Sequence, residues 1–330
     1  MTALLPWQHN AWADLVRRHR KAGLPHALML TGIEGIGKHE LARYSAKWLL
    51  CQRDEDTPCD QCHSCQLWNA GSHPDYMAVQ PEEGSRQIRI DAIRRVNDFL
   101  AQTPQISRCQ VVSLRPVEVM NTNAANALLK TLEEPAGESF LLLETERFGS
   151  VLPTIRSRCQ RFTLDTPSHE QSIHWLANNG QSGEAAEQAL KRNTGAPLKA
   201  LQWLASDQRE QQQRWMELLG QWSNGSAPLQ VAAEGWNKLD ISDVTNWFYS
   251  FLSDCIKLSM GIQPNQLTYG TIAREMLGES MPPAAKLIPL HDKIKEILGR
   301  LLSGAGHYNK QLLIESLLLD WQNTLAQRER

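Results

Sequence analysis

No run in the 330 residues stays apolar over the roughly 18–20 positions that a bilayer-spanning helix requires. The first residues, Met1-Thr2-Ala3-Leu4-Leu5-Pro6-Trp7, have neither the basic start nor the apolar stretch of a secretory signal. An excess of one charge is missing too. Lys and Arg number 34 against 36 Asp and Glu, a formal net charge of −2, so no whole-chain basic surplus points to nucleic acid. Contact with DNA would have to come from local patches. The seven cysteines are odd in number and four of them fall between positions 51 and 65, which argues for metal or reduced thiols over a disulfide framework. These absences lead to the expectation of a cytoplasmic protein with no membrane partner.

What is present has an ordinary globular composition, 42% hydrophobic and 21% charged, at a length that suggests two or three domains. Residues 1–165 alternate short apolar runs with helical spacing, the pattern of an α/β domain with a largely parallel sheet. Strands are predicted at Ala27–Thr31, Cys109–Leu114, Phe140–Leu143 and Gln160–Leu164. A helix is predicted over Ile90–Leu100, with Ile90, Ile93, Val96 and Leu100 on one face. Another should run from about Asn123 to Glu134, where Pro135 stops it.

The pattern changes after Thr166-Pro167. Ser168 and Gln171 have the spacing of a capping box, and beyond them the periodicity is helical throughout. Asn193-Thr194-Gly195-Ala196-Pro197 separates two helices. The polar run from Asp207 to Arg214 reads as a solvated helix start and a second boundary. Ile314, Leu317, Leu318 and Trp321 form a stripe expected in a helix-bundle core or an oligomer contact.

Gly32-Ile33-Glu34-Gly35-Ile36-Gly37-Lys38-His39 comes after a predicted strand and opens a helix, the context of a phosphate-binding loop. Glycines let backbone N–H groups curl around phosphate, and the lysine adds a point charge. The hydroxyl residue that should come after Lys38 to ligate Mg²⁺ is missing; His39 stands there, and a neutral imidazole is a poor ligand for that hard ion. A hydrolytic site also needs acids at the end of a buried strand. The matching strand, Gln110-Val111-Val112-Ser113-Leu114, leads into Arg115-Pro116, and the nearest acid downstream, Glu118, lies beyond that proline. Weak or no ATP binding through Gly32, Gly35, Gly37 and Lys38, and no hydrolysis in cis, are expected.

Cys51, Cys59, Cys62 and Cys65 are spaced C-x7-C-x2-C-x2-C. The short gaps let thiolates converge, and four sulfurs complete a closed structural zinc site. The competing arrangements are a redox pair, disulfides, or three cysteines with His63 or His73 as fourth ligand. Cys109, Cys159 and Cys255 are scattered and read as small buried hydrophobes.

The stretch Asn126-Ala127-Leu128-Leu129-Lys130-Thr131-Leu132-Glu133-Glu134-Pro135, with Ser157-Arg158-Cys159 further on, resembles the clamp-loader branch of the AAA+ proteins. A cysteine knuckle inserted after the phosphate-loop helix is similar to that of bacterial members. The resemblance covers the first two thirds well, and the helical remainder agrees in class and length. It implies a RecA-like AAA+ domain over 1–166 with a zinc module at about 51–65, a small helical lid over 167–206 and an all-helical collar over 207–330. It also implies a hetero-oligomer with gamma/tau and delta subunits that loads the sliding clamp onto primed DNA for DNA polymerase III.

Aligned from Asn126, the motor subunits' acidic pair falls on Arg115-Pro116, and their second sensor arginine falls on Leu198. With His39, three departures disable the same chemistry. The chain is therefore expected to be the rigid, non-hydrolysing subunit; the alternative is an ATP-hydrolysing gamma/tau-type motor. The resemblance further implies that Arg158 reaches into a neighbour's ATP site, with Arg156 and Arg161 as alternatives. A sequence-reading zinc protein is disfavoured, since there is no second cysteine pair or paired histidine downstream. The clusters Arg17-Arg18-His19-Arg20-Lys21 and Arg86, Arg89, Arg94, Arg95 read as solvated faces or subunit contacts, with loose phosphate contact as the alternative.

Overall fold

Side chains alternate between the two faces of a strand, and here both faces are apolar. Ala27 and Met29 point into one core with Val112, Leu114, Leu141 and Leu143, while Leu28 and Leu30 point into another with Val111 and Leu142. A parallel sheet covered by helices on both sides produces this near-continuous apolar reading. In the computed structural model all residues are described except 1–2, 54, 83, 86, 136, 279–280, 304–307 and 327–330.

The first compact unit is Met1–Leu201 and the second Gln202–Arg330. The first contains α1 (His9–Ala22), β1 (Ala27–Thr31), α2 (Lys38–Leu50), α3 (His63–Asn69), β2 (Tyr76–Val79) and α4 (Ile90–Leu100). After them come β3 (Gln110–Leu114), α5 (Thr122–Glu133), β4 (Ser139–Thr145), α6 (Pro153–Arg156), β5 (Gln160–Thr163), α7 (His169–Asn178) and α8 (Glu184–Arg192); α9 (Pro197–Ala205) begins in this unit. The strand order is β2-β3-β4-β1-β5, with every neighbouring pair parallel. The loops after β1, β3 and β4 therefore gather at the carboxyl edge of the sheet, where open α/β sheets hold their ligands. This is the RecA-like AAA+ arrangement.

One core packs α4 and α5 through Ile93, Val96, Leu128 and Leu132; the other packs α1 and α2 through Trp12, Leu15, Leu41 and Trp48. Local chemistry sets the helix starts. The Asn121 side chain accepts from Ala124 N at 2.8 Å to open α5, and Ser168 with Gln171 closes a capping box on α7. Observed ends differ from the expected ones by at most two residues. Strand β2 was not expected: it is four residues at the sheet edge, and only Val79 is buried.

Every element after β5 is helical among the described residues. The second unit holds α10 (Gln208–Ser223), α11 (Leu229–Asn237), α12 (Ile241–Ser259), α13 (Gly270–Leu277), α14 (Ala284–Ser303) and α15 (Lys310–Ala326). Its core is aromatic, with Trp215, Trp236, Phe248, Phe251, Tyr269 and Trp321 buried together, and it takes in Ile314, Leu317 and Leu318 from α15. The C-terminal stripe is bundle core.

Candidate functional site

The Gly-rich loop leaves β1, an interior strand between β4 and β5, and enters α2. Gly35 and Gly37 have φ of +81° and +92°, values that side chains rarely adopt, and both also lack the room for one. A Cβ on Gly35 would lie 2.5 Å from Lys199 Cβ; on Gly37 it would lie 2.4 Å from Leu5 Cδ1. Three successive loop carbonyls are bonded to the rest of the unit. Gly35 O accepts from Leu198 N at 3.1 Å, Ile36 O from Trp7 Nε1 at 2.9 Å, and Gly37 O from Gln8 Nε2 at 2.6 Å. The loop is held from both sides by protein.

Lys38 is drawn into its own loop. It is buried, and its Nζ donates to Ile33 O at 2.7 Å within the same loop. Burial holds its ammonium below the ordinary lysine range, although the carboxylates of Glu146, Glu144, Glu34 and Glu118 all favour its charge. At the magnesium position, His39 Nδ1 donates to Glu144 Oε1 at 3.1 Å, and Ser113 Oγ approaches the same oxygen at 3.3 Å. Strand β3 runs directly into Arg115-Pro116, with no acid at its end. Glu118 Oε1 accepts the backbone N–H groups of Glu146 and Arg147, at 3.1 and 3.2 Å, so it caps the turn after β4.

The four cysteines converge. Their sulfurs lie within 4.8 Å of one another, with Cys51–Cys62 at 3.9 Å and Cys59–Cys65 at 4.0 Å. A zinc tetrahedron with Zn–S bonds of about 2.3 Å has sulfur–sulfur edges of about 3.8 Å, so the donor set fits such an ion. Backbone N–H groups support it: Cys59 N points to Cys51 Sγ at 3.5 Å, Cys62 N to Cys59 Sγ at 3.3 Å, and Cys65 N to Cys62 Sγ at 3.4 Å. Burial works against the Cys59 thiolate, but the N–H groups of Gln61 and Cys62 and the adjacent thiols bring that thiol down to about 6.

His73 is not a ligand in this arrangement. It accepts from Asp75 N at Nδ1, 3.1 Å, and its Nε2 faces Ser64 Oγ at 2.8 Å. His63 is exposed, and the four cysteines alone form a metal-sized cluster among the described residues. The knuckle is anchored to the core by two indoles, Trp12 Nε1 to Asp56 O at 3.1 Å and Trp48 Nε1 to Glu55 O at 2.7 Å. Lys47, buried in α2, bonds Asp60 and Asn69 of the same module. Cys109 and Cys255 are buried and Cys159 packs against a core. Burial raises all three thiols, those of Cys109 and Cys159 to about 12.

Arg158 comes just after α6 and lies against the end of α5. Its Nε donates to Glu133 Oε1 at 2.8 Å, and its Nη1 donates to Thr154 O at 3.0 Å. Arg156 and Arg161 instead sit over the Phe148 ring, at 5.2 and 4.3 Å from its centroid.

The family model described as "DNA polymerase III, delta subunit" matches residues 7–168, and the one described as "DNA polymerase III, delta subunit, C terminal" matches residues 219–323. A Pseudomonas aeruginosa protein named DNA polymerase III subunit delta' is 35% identical, over 97% of this chain and 98% of its own length. The chain belongs to the delta-prime family of DNA polymerase III subunits. The Escherichia coli delta-prime subunit is 29% identical over 95% of this chain and 94% of its own. A solved structure of a gamma subunit-related protein of DNA polymerase III from Thermotoga maritima has the same fold, with a TM-score of 0.54 at 18% identity, covering 95% of this chain and 99% of that one.

Within this delta-prime chain, the basic clusters are largely paired. Arg17 and Arg18 meet Asp14, Arg20 meets Asp56, Arg94 meets Asp91 and Arg95 meets Glu82. Arg86 lies outside the described residues. Two contributors escaped the sequence reading, Glu144 and the Trp7–Gln8 pair, and a third, Glu133, stood in the quoted Asn126–Pro135 stretch without a role. Glu144 left a trace, as a charged residue ending the apolar run Leu141-Leu142-Leu143. The contacts of Trp7, Gln8 and Glu133 act across the fold and left none.

Proposed function

We propose that this chain is the non-hydrolysing subunit of a clamp loader, assembling with gamma/tau and delta subunits to place the sliding clamp on primed DNA. The observation that carries it is the state of Lys38 and His39. The first is held within its own loop by Ile33 O, and the second, at the position where a magnesium-binding hydroxyl would stand, is paired with the Glu144 carboxylate. A triphosphate would also enter a place where Glu34, Glu118, Glu144 and Glu146 already surround one ammonium. No acid ends β3 to orient a water. Together these support the absence of cis hydrolysis.

The activity left to the chain is in trans. As ATP loses its terminal phosphoryl group, negative charge spreads over the transferred oxygens, and a guanidinium from the next subunit stabilises it through planar, charge-assisted hydrogen bonds. Arg158 is the residue assigned to this role. It is partly exposed and lies in the Ser157-Arg158-Cys159 motif. The lid at 167–206 and the collar at 207–330 complete the proposed architecture, and the cytoplasm is the proposed location. The four cysteines would hold zinc as a structural cross-link: the ion ties the loop from Cys51 to Cys65 together, with no open ligand position for chemistry.

Reconstitution tests this directly. The purified chain should show no magnesium-dependent ATP turnover above background, and gamma/tau with delta should load clamps onto primed DNA only when it is added. Robust turnover by the chain alone would revive the gamma/tau-type motor assignment.

A further inference from the structure

A guanidinium has five N–H donors, and four of those of Arg158 are engaged by its own chain. Nε and Nη2 both bond Glu133 Oε1, while Nη1 donates to Thr154 O and, at 3.3 Å, to Ser157 Oγ. Glu133 is the last residue of α5, 25 positions from Arg158, whereas Thr154 and Ser157 belong to the turn around α6. Two separate elements thus clamp one side chain. About a third of it, 34%, remains exposed.

The Glu133 carboxylate is half exposed, and ion pairs this open to solvent contribute little to folding. Stability is therefore a weak reason for the pair. Its geometric effect is a bias: an unheld arginine samples many rotamers, and this pair favours one arrangement with one Nη2 hydrogen left over.

We infer that Glu133 is a positioning residue for Arg158, fixing its guanidinium in the orientation that meets the phosphoryl oxygens of the adjacent subunit's nucleotide. The inference rests on the trans-acting role proposed for Arg158. Glu133 touches neither nucleotide nor metal; it acts only through the arginine. Removing it should cost about threefold to fivefold in rate, the order of the hold that an ion pair this exposed exerts on one rotamer.

The test uses the assembled complex with gamma/tau, delta, clamp and primed DNA, measuring DNA-stimulated ATP hydrolysis. Glu133→Ala should lower kcat about threefold to fivefold with KM for ATP unchanged. Glu133→Gln keeps an acceptor oxygen for the Nε–Nη2 edge and should retain most of the rate. In an Arg158→Ala background, Glu133→Ala should add nothing, since its only route is gone. Unchanged kcat in Glu133→Ala overturns the inference, and so does an equal further loss in the Arg158→Ala background. If Arg158→Ala itself leaves hydrolysis intact, the trans-acting role fails and takes this inference with it.

Discussion

Lys199, in the first turn of α9, closes an ion pair on Glu34 of the Gly-rich loop, 165 positions away in sequence. Beside it Leu198 N donates to Gly35 O, and on the loop's other flank Trp7 and Gln8 bond Ile36 O and Gly37 O. A phosphate loop takes its shape from glycines and is normally completed by its ligand. Here side chains and backbone of the same unit hold three of its carbonyls, whereas a phosphate would use its N–H groups.

The energetic weight of this junction should lie in packing rather than in the ion pair. Both charged groups of Glu34–Lys199 are about half exposed, so Lys199→Ala should cost no more than about 1 kcal/mol. Gly35→Ala combines a left-handed backbone with a Cβ driven 2.5 Å from Lys199 Cβ and 2.8 Å from its backbone N, and should cost about 2–3 kcal/mol. Urea unfolding of the two variants compares them; equal losses would mean that the junction is electrostatic after all.

The knuckle should bind one zinc ion and serve stability. Because Trp12 and Trp48 donate to Asp56 O and Glu55 O inside it, metal removal should alter their fluorescence before the helical second unit melts. Elemental analysis of protein purified without added metal, then chelator titration, checks both points. Substoichiometric zinc with four freely titrating thiols would contradict the assignment. Cys65→Ser should abolish tight binding, since a hydroxyl replaces one thiolate of a closed set.

His73 gives a pH dependence of defined sign. Burial lowers its pKa below the ordinary histidine value, so the unfolded chain takes up a proton near pH 6.5 that the folded chain refuses. Its contribution is complete above that pH and is lost as pH falls toward the folded pKa. His73→Gln should therefore be less stable than the parent at pH 7.5, with the gap narrowing by pH 5. A gap that stays constant would show that His73 does not titrate between the two states.

Much of this was readable from residues close together in the chain. The strand Ala27–Thr31, the helix Ile90–Leu100 and the Ser168–Gln171 capping box arise from spacing and local hydrogen bonding, and they appear as expected. The cysteine cluster was also visible, because short gaps constrain four thiols to one place. Strand β2 was not, since Tyr76–Val79 is short, lies at an edge and presents little apolar alternation. The true partners of His39, Gly37 and Arg158 lay 105, 29 and 25 positions away. Periodicity cannot announce a contact that only the folded sheet creates. So the loss of the hydroxyl after Lys38 could be read, but not that the histidine in its place pairs with Glu144.

The measurement that bears most directly on the whole account sets two substitutions side by side in the assembled clamp loader: Lys38→Ala in the chain's own loop and Arg158→Ala at the proposed trans position. DNA-stimulated ATP hydrolysis and clamp loading are monitored for each, with complex assembly checked separately. Lys38→Ala should leave both rates near the parent's. Arg158→Ala should leave the complex intact while hydrolysis at the adjacent motor falls steeply, by analogy with arginine fingers on the order of 10³–10⁵ in rate at the affected site. The reverse pattern, with loading lost on removing Lys38 and unaffected by removing Arg158, would contradict the account.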